Sequence, residues 1–323
     1  MKMLVLGGTA WLGGEVVRHA VDDGWEVTCL ARGESGTTPA GARLLTADRT
    51  EPGAYDAVRH TDWDAVVDVS RQPGQVRSAV EALGDRARHW SFVSTGNVYA
   101  DLAKPITEDS PLREPLEADV AGIEEYGEGK VACEQAVASL PRHVIWRAGL
   151  IGGPGDPSDR FGYWVSRFAL AGDGPVLVPD VPEQPVQVVD VRDVAGWIVS
   201  AAADGTTGVF NAAGDQVPFE TALDLAAEVA GFTGERVTVD PQWLLEHEVE
   251  HWMGPRSLPL WLPDDFLGLT QKSVARARAA GFVARPLEET LAATLADERD
   301  RGLDRERRAG LTRADELALL AEL

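Results

Sequence analysis

Residues 2–17 read KMLVLGGTAWLGGEVV, and this stretch decides the fold. Met3 to Leu6 is a short apolar run, long enough for one buried strand. Gly7, Gly8 and Thr9 follow at once, and then the helical apolar pattern Leu12, Val16, Val17, Ala20. A strand, a tight glycine turn and a helix, in that order, open a dinucleotide-binding unit. The turn must bring backbone N–H groups against a pyrophosphate, and side chains there would block the approach. The helix behind it points its positive end at the phosphates. An ordinary corner between a strand and a helix can carry such glycines too, so the motif needs support from the rest of the chain.

The frame is Gly7, Ala10, Gly13, a G-x-x-A-x-x-G spacing and not G-x-G-x-x-G. It resembles the G-x-x-G-x-x-G turn of the short-chain dehydrogenase/reductase superfamily, in its extended branch of NAD-dependent epimerase/dehydratase-like proteins. The resemblance implies an α/β fold: a Rossmann-type, doubly wound parallel sheet with a smaller C-terminal substrate lobe. It implies that Gly7, Thr9, Ala10, Trp11, Leu12 and Gly13 line the cofactor. Ala10 replaces the middle glycine and is small enough to keep that function.

The length, 323 residues, allows one large α/β domain or a domain plus a lobe. Net charge is −22, from 52 acids against 30 bases. So acidic a chain argues against nucleic acid or an anionic membrane as a partner. Only four of the basic residues are lysine: Lys2, Lys104, Lys130 and Lys272. Cys29 and Cys133 fit reduced thiols in a cytoplasm, although two thiols can pair. No apolar run reaches membrane-spanning length. The expectation is a cytoplasmic monomer or homodimer without a signal peptide, acting on a small molecule.

Outward from the glycine turn, Trp25 to Leu30 reads as the second strand. The residue ending this strand faces the adenosine ribose in Rossmann folds, where an acid favours NAD. Here the strand runs into Ala31, Arg32 and Gly33, with no acid at its tip. Arg32 can hold a 2′-phosphate, which favours NADP(H) and leaves NAD(H) as the alternative. Arg43 to Thr46 is a third strand, followed by Ala47, Asp48 and Arg49. By the resemblance, Asp48 bonds the adenine amino group, with Arg49 beside it on the cofactor. Trp63 to Val69 is the fourth strand, and the loop from Ser70 to Gly74 should pass under the cofactor with Val69 and Ser70. Val76 to Leu83 reads as a helix and Trp90 to Ser94 as the fifth strand. Strand and helix alternate throughout, the pattern of a parallel doubly wound sheet.

The next segment, SFVSTGNVYAD, resembles the S-S/T-x-x-V-Y-G segment of that superfamily. Counting back four from Tyr99 puts Thr95 on the catalytic Ser/Thr position. Ser94 is the neighbouring hydroxyl, a candidate cofactor contact, and the register leaves both open. Leu102 to Glu124 is polar and reads as a loop over the site. Then comes EEYGEGKVACEQAVASL, in which Tyr126 and Lys130 are four apart and share one helical face. This is the Tyr-x-x-x-Lys pair of the superfamily. Four tyrosines and four lysines could meet this spacing by chance, but not readily in this place, behind a Thr/Ser segment and a glycine turn. A reference tyrosine titrates near pH 10, and a nearby ammonium stabilises a phenolate. Tyr126 can thus exchange a proton with a substrate carbonyl or hydroxyl. Thr95 would hold the substrate oxygen, and Lys130 would also bond the nicotinamide ribose.

Arg142 to Trp146 is the sixth strand, followed by RAGLIGGPGD. This resembles the R-P-x-x-x-y-G-P segment, with Ala148 in place of proline and against the cofactor. Arg160 to Ala171 reads as a helix of the substrate lobe, Pro185 to Val189 as a strand, Asp190 to Ala203 as a helix, Val209 to Ala212 as a short strand and Phe219 to Ala230 as an amphipathic helix. The division expected is a dinucleotide domain of residues 1–152 plus about 186–212, and a lobe of 153–185 plus 213–323. Nucleotide-sugar enzymes of this kind usually carry an arginine just before the strand at 187–190, and it grips the diphosphate. Val186 stands there, which counts against such a substrate unless Arg160 or Arg167 substitutes.

His247 to His251 reads HEVEH and matches the H-E-x-x-H zinc motif literally. The extended motif needs a histidine at 257, and that residue is Ser257. Gly254-Pro255 ends any helix there. The reading is a polar helix turn and no metal site. At the C-terminus, LADERDRG reads as a solvated helix face, and Thr312 with Asp315 resembles a capping box.

The function expected is an NAD(P)-dependent oxidoreductase moving a hydride between nicotinamide and a small carbonyl or alcohol. Two alternatives stand beside it: a sugar-nucleotide epimerase or dehydratase that retains NAD, and a non-catalytic NAD(P)-binding protein.

Overall fold

The computed structural model describes residues 1–323. Its strands of three or more residues, in chain order, are β1 (Lys2–Leu6), β2 (Glu26–Ala31), β3 (Arg43–Thr46), β4 (Ala65–Asp68), β5 (Trp90–Thr95), β6 (His143–Ala148), β7 (Leu150–Gly152), β8 (Val176–Pro179), β9 (Pro185–Asp190), β10 (Gly208–Ala212), β11 (Gln216–Pro218) and β12 (Arg236–Val239). Seven of them form one parallel sheet in the order β10-β6-β5-β4-β1-β2-β3. The chain runs outward from β1 to β3, then returns to β4 on the other side of β1. Ligands bind at such a reversal, beyond the carboxyl ends of the strands.

Helices cover both faces. On one side lie α1 (Trp11–Asp22) and α5 (Val191–Asp204), on the other α2 (Pro73–Leu83) and α3 (Tyr126–Ala138). The strands are therefore buried on both faces, which is why they read as continuous apolar runs. In β1, Met3 and Val5 enter the core under α1 and α5, and Leu4 and Leu6 the core under α2 and α3. Helix α2 begins at Pro73, three residues ahead of its apolar pattern, since proline suits the first helical position. Asp190 caps α5, its carboxylate accepting the Arg192 N–H at 2.8 Å.

Strand β9 does not extend the central sheet. It pairs in parallel with β7 and antiparallel with β11 in a separate three-stranded sheet. Helices α4 (Gly162–Ala171) and α6 (Phe219–Ala230) and the later helix Leu287–Arg301 pack together around Trp164, Phe168, Phe219 and Leu291.

Two expectations are corrected here. The HEVEH segment is not a helix turn. A short helix, Pro241–Glu246, capped by Asp240, ends before it, and Glu248 enters the left-handed region at φ +59°. The His247 ring stacks on Trp243 at 3.7 Å, and His251 lies against Trp261 at 3.9 Å, so the two histidines are drawn to different partners. Nor is LADERDRG solvated all round. Glu298 is 1% exposed because it pairs with Arg301, Arg305 and Arg307. No helix is long and apolar enough to cross a membrane.

Candidate active site

The glycine turn joins β1 to α1 under tight steric control. Gly7 has φ +92°, a region that disfavours side chains. A Cβ on Gly13 would lie 2.3 Å from the Gly7 carbonyl oxygen, so the helix start packs directly on the turn. Ala10 precedes the helix without a side-chain cap. The N–H groups of Trp11, Leu12 and Gly13 make no hydrogen bond within the protein and form a free anion-binding end. Thr9 is buried at this turn. The Trp11 indole donates to the Pro154 carbonyl at 2.8 Å, tying the turn to the loop after β7.

The outer end of this region holds Arg32, exposed just past β2 and paired at 3.3 Å with Glu34. Asp48 accepts the Thr50 N–H and hydroxyl, and these bonds hold its carboxyl below the usual range. Arg49 is different in kind. Its guanidinium sinks against Asp68 in two bonds, at 2.9 and 3.1 Å, and also bonds Tyr55 and Ser70. Only its backbone is left to face a ligand. Val69 packs on Gly7, and the Ser70 carbonyl accepts from Lys130.

At the carboxyl ends of the central strands, Thr95 pairs in register with Ala148. The Thr95 Oγ1 accepts from the backbone and side chain of Asn97, both at 3.3 Å, and starts the turn Gly96–Val98. The Ser94 hydroxyl is committed elsewhere: it donates to Glu134 at 2.5 Å. Glu134 also pairs with Arg147 at 2.8 Å, with both side chains buried. Arg147 reaches the Tyr99 hydroxyl, which donates to Asn211 at 2.7 Å. This buried network fixes the segment 94–99. Along the chain Glu134 and Arg147 stand apart, and no local pattern shows that they meet.

Tyr126 opens α3, half-buried, and its hydroxyl makes no hydrogen bond within the protein. Lys130, one turn on, is 3% exposed. Its ammonium donates to the Ser70 and Val93 carbonyls at 2.7 and 2.6 Å and lies 4.5 Å from the Phe92 ring centre. Gly127 and Gly129 between them have no room for side chains. A Cβ on Gly127 would meet the Asn97 carbonyl at 2.4 Å, and one on Gly129 the Ala121 methyl at 2.6 Å. The loop carrying Ala121 is itself clamped, its peptide bonded at both ends by the Gln72 side chain.

Lys272 belongs to no motif, and only the fold brings it to notice. It is 4% exposed, with its amine beneath Gly96 and near Gly149, and it donates to the Leu269 carbonyl. Burial pulls its pKa down to about 7.

The sequence profile of the NAD dependent epimerase/dehydratase family matches residues 3–213. Among solved structures, the chain resembles the Bordetella bronchiseptica enzyme WbmH in complex with NAD+, with a TM-score of 0.66 and 16% identity over 93% of this chain and 99% of that one. It resembles the UDP-glucuronic acid 4-epimerase of Bacillus cereus in complex with NAD similarly, at a TM-score of 0.67 and 15% identity, covering 93% and 99%. At such identities the likeness is one of fold. Photosystem II assembly factor Ycf39 of Synechocystis is 35% identical over 175 residues, 46% of this chain and 52% of that protein. The chain thus spans about half the length of this curated relative.

Proposed function

The chain belongs to the NAD dependent epimerase/dehydratase family, and on that premise we propose that it is an NADP(H)-dependent oxidoreductase of a small carbonyl or alcohol, with Tyr126 exchanging the proton. The observation that supports this most is the unpartnered Tyr126 hydroxyl, one helical turn from the anchored Lys130 ammonium. A general acid/base needs a hydroxyl free to meet substrate, and a fixed positive charge to favour its ionised form.

The glycine cradle and the free N–H groups of Trp11, Leu12 and Gly13 fit a dinucleotide pyrophosphate. In this reading Asp48 takes the adenine, Arg32 a 2′-phosphate, Val69 and Ser70 the underside of the cofactor, Lys130 a ribose, and Ala148 the nicotinamide end. When bound, the nicotinamide supplies or accepts the hydride. Thr95 holds the substrate oxygen, since the Ser94 hydroxyl is engaged by Glu134. Tyr126 gives its proton to the oxygen of a carbonyl as it is reduced, or takes the hydroxyl proton of an alcohol as it is oxidised. Lys130 keeps its charge in place through two carbonyl bonds.

The epimerase alternative calls for a grip on a nucleotide diphosphate. Val186 is buried at 1% exposure, and Arg167 is bound to Glu316 and the Leu311 carbonyl. Neither residue is free for that task, and Arg160 is the one candidate left for it. A screen of small carbonyls with NADPH tests the proposal. Reduction of at least one carbonyl class is expected; turnover of sugar nucleotides alone would replace it with the epimerase reading.

A further inference from the structure

Arg160 stands apart from the other arginines. Every other arginine that is not exposed has a carboxylate within ion-pair distance, and Arg160 has none. Only its Nε is engaged, donating to the Ser158 hydroxyl at 3.1 Å. Its two terminal nitrogens have no partner in the protein. The nearby Asp156 carboxyl does not supply one, because it is turned to the Ser158 N–H and hydroxyl at 2.8 and 2.9 Å. Burial without a counter-ion disfavours the charged guanidinium and pulls it down from its ordinary value.

The surrounding chain is built to hold that side chain still. The guanidinium carbon sits 5.0 Å from the centre of the Trp252 ring, in cation–π range. Trp252 is in the left-handed region at φ +64°, and Glu248, Arg256 and Leu260 in the same segment are left-handed too. Asp159, next to Arg160, is left-handed at φ +59° and is held there by Arg301, Arg305 and the Arg308 N–H. Such conformations persist only where the surroundings over-determine them, and they cluster at ligand clamps. The two ionisable groups whose charge reaches Arg160 are Asp156 and the Tyr126 phenol. The loop that leads to Arg160 is also tied to the glycine turn, where the Trp11 indole donates to the Pro154 carbonyl at 2.8 Å.

We propose that Arg160 determines substrate class: its free guanidinium edge receives a carboxylate or phosphate on a substrate whose carbonyl or alcohol is at Tyr126. The planar guanidinium matches two oxygens of either anion, and its two terminal nitrogens are left without a protein partner over the Trp252 ring. This rests on the proposed function for the position of the reacting group, while the anion site itself does not depend on any turnover.

Binding to the cofactor-loaded protein is measured by calorimetry for three probes: oxamate, its neutral counterpart oxamide, and inorganic phosphate. Wild type should bind oxamate or phosphate at least tenfold more tightly than oxamide, and the stronger anion identifies the substrate group. Arg160→Gln should lose that preference and Arg160→Lys should restore part of it. Tyr126→Phe should retain it, so a failure of the proton-transfer reading leaves this result intact. Arg160→Gln binding both anions like wild type, or wild type failing to prefer either anion to oxamide, would overturn the proposal.

Discussion

A Cβ placed on Gly13 would come within 2.3 Å of the carbonyl oxygen of Gly7. The two ends of the glycine turn are thus in direct backbone contact, and the start of α1 cannot move outward without opening the turn. Gly13→Ala should cost about 1–3 kcal/mol of stability through overpacking. It should also weaken cofactor binding at least tenfold, because the N–H groups of Trp11 and Leu12 move with the helix. Thermal unfolding and cofactor titration check this, and unchanged values for both would show that the turn tolerates the side chain.

In the proposed reading, cofactor choice turns on Arg32. It is exposed and its pairing with Glu34 is a surface contact, worth at most about 1 kcal/mol, so a 2′-phosphate can displace it. NADPH should bind more tightly than NADH, and Arg32→Ala should remove most of the difference. Fluorescence titration of both cofactors decides the matter; equal or tighter binding of NADH by wild type would refute the NADP preference.

Lys272 predicts a pH effect on stability. An unfolded lysine titrates near 10.5, whereas burial brings Lys272 down to about 7. Between these values the unfolded chain binds a proton that the folded chain does not, so stability rises with pH across the window. Below about pH 7 the folded form is protonated too, and the destabilisation is at its full, constant size. A tenfold change in proton affinity is worth about 1.4 kcal/mol, so Lys272→Met should stabilise the protein at pH 7 by several kcal/mol. The gain should shrink as pH approaches 10.5. Denaturant unfolding of both proteins from neutral pH up to that value measures it, and a pH-independent difference would contradict the account.

The sheet was legible because its strands and helices announce themselves locally. The turn at Gly7–Gly13, the strand Arg43–Thr46 and the helix Phe219–Ala230 are contiguous patterns, and the last two match the structure residue for residue. The Thr312 cap was also legible: its hydroxyl accepts the Asp315 N–H at 3.0 Å. What could not be read was pairing at a distance. Nothing near Glu298 in sequence says that Arg305 and Arg307 will fold back on it. Nothing near Ser94 says that Glu134, forty residues later, will take its hydroxyl. The helix turn expected over HEVEH fails for the same reason: the helix ends at Glu246, and His247 and His251 are placed by their contacts with Trp243 and Trp261. That Pro185–Val189 is a strand is legible locally; only the tertiary pairing with β7 and β11 puts it in a sheet separate from the central one.

The central claim is that Tyr126 moves the proton and Lys130 supports it. Tyr126→Phe keeps the ring and its packing and removes the hydroxyl, whereas Lys130→Ala removes a charge anchored on the Ser70 and Val93 carbonyls. The most direct measurement is turnover and cofactor affinity of both variants on a carbonyl substrate from the NADPH screen. Tyr126→Phe should lower turnover about 10²–10⁴-fold with cofactor binding nearly unchanged, and Lys130→Ala should lower both. Wild-type turnover by Tyr126→Phe on a verified substrate would show that Tyr126 is not the proton donor.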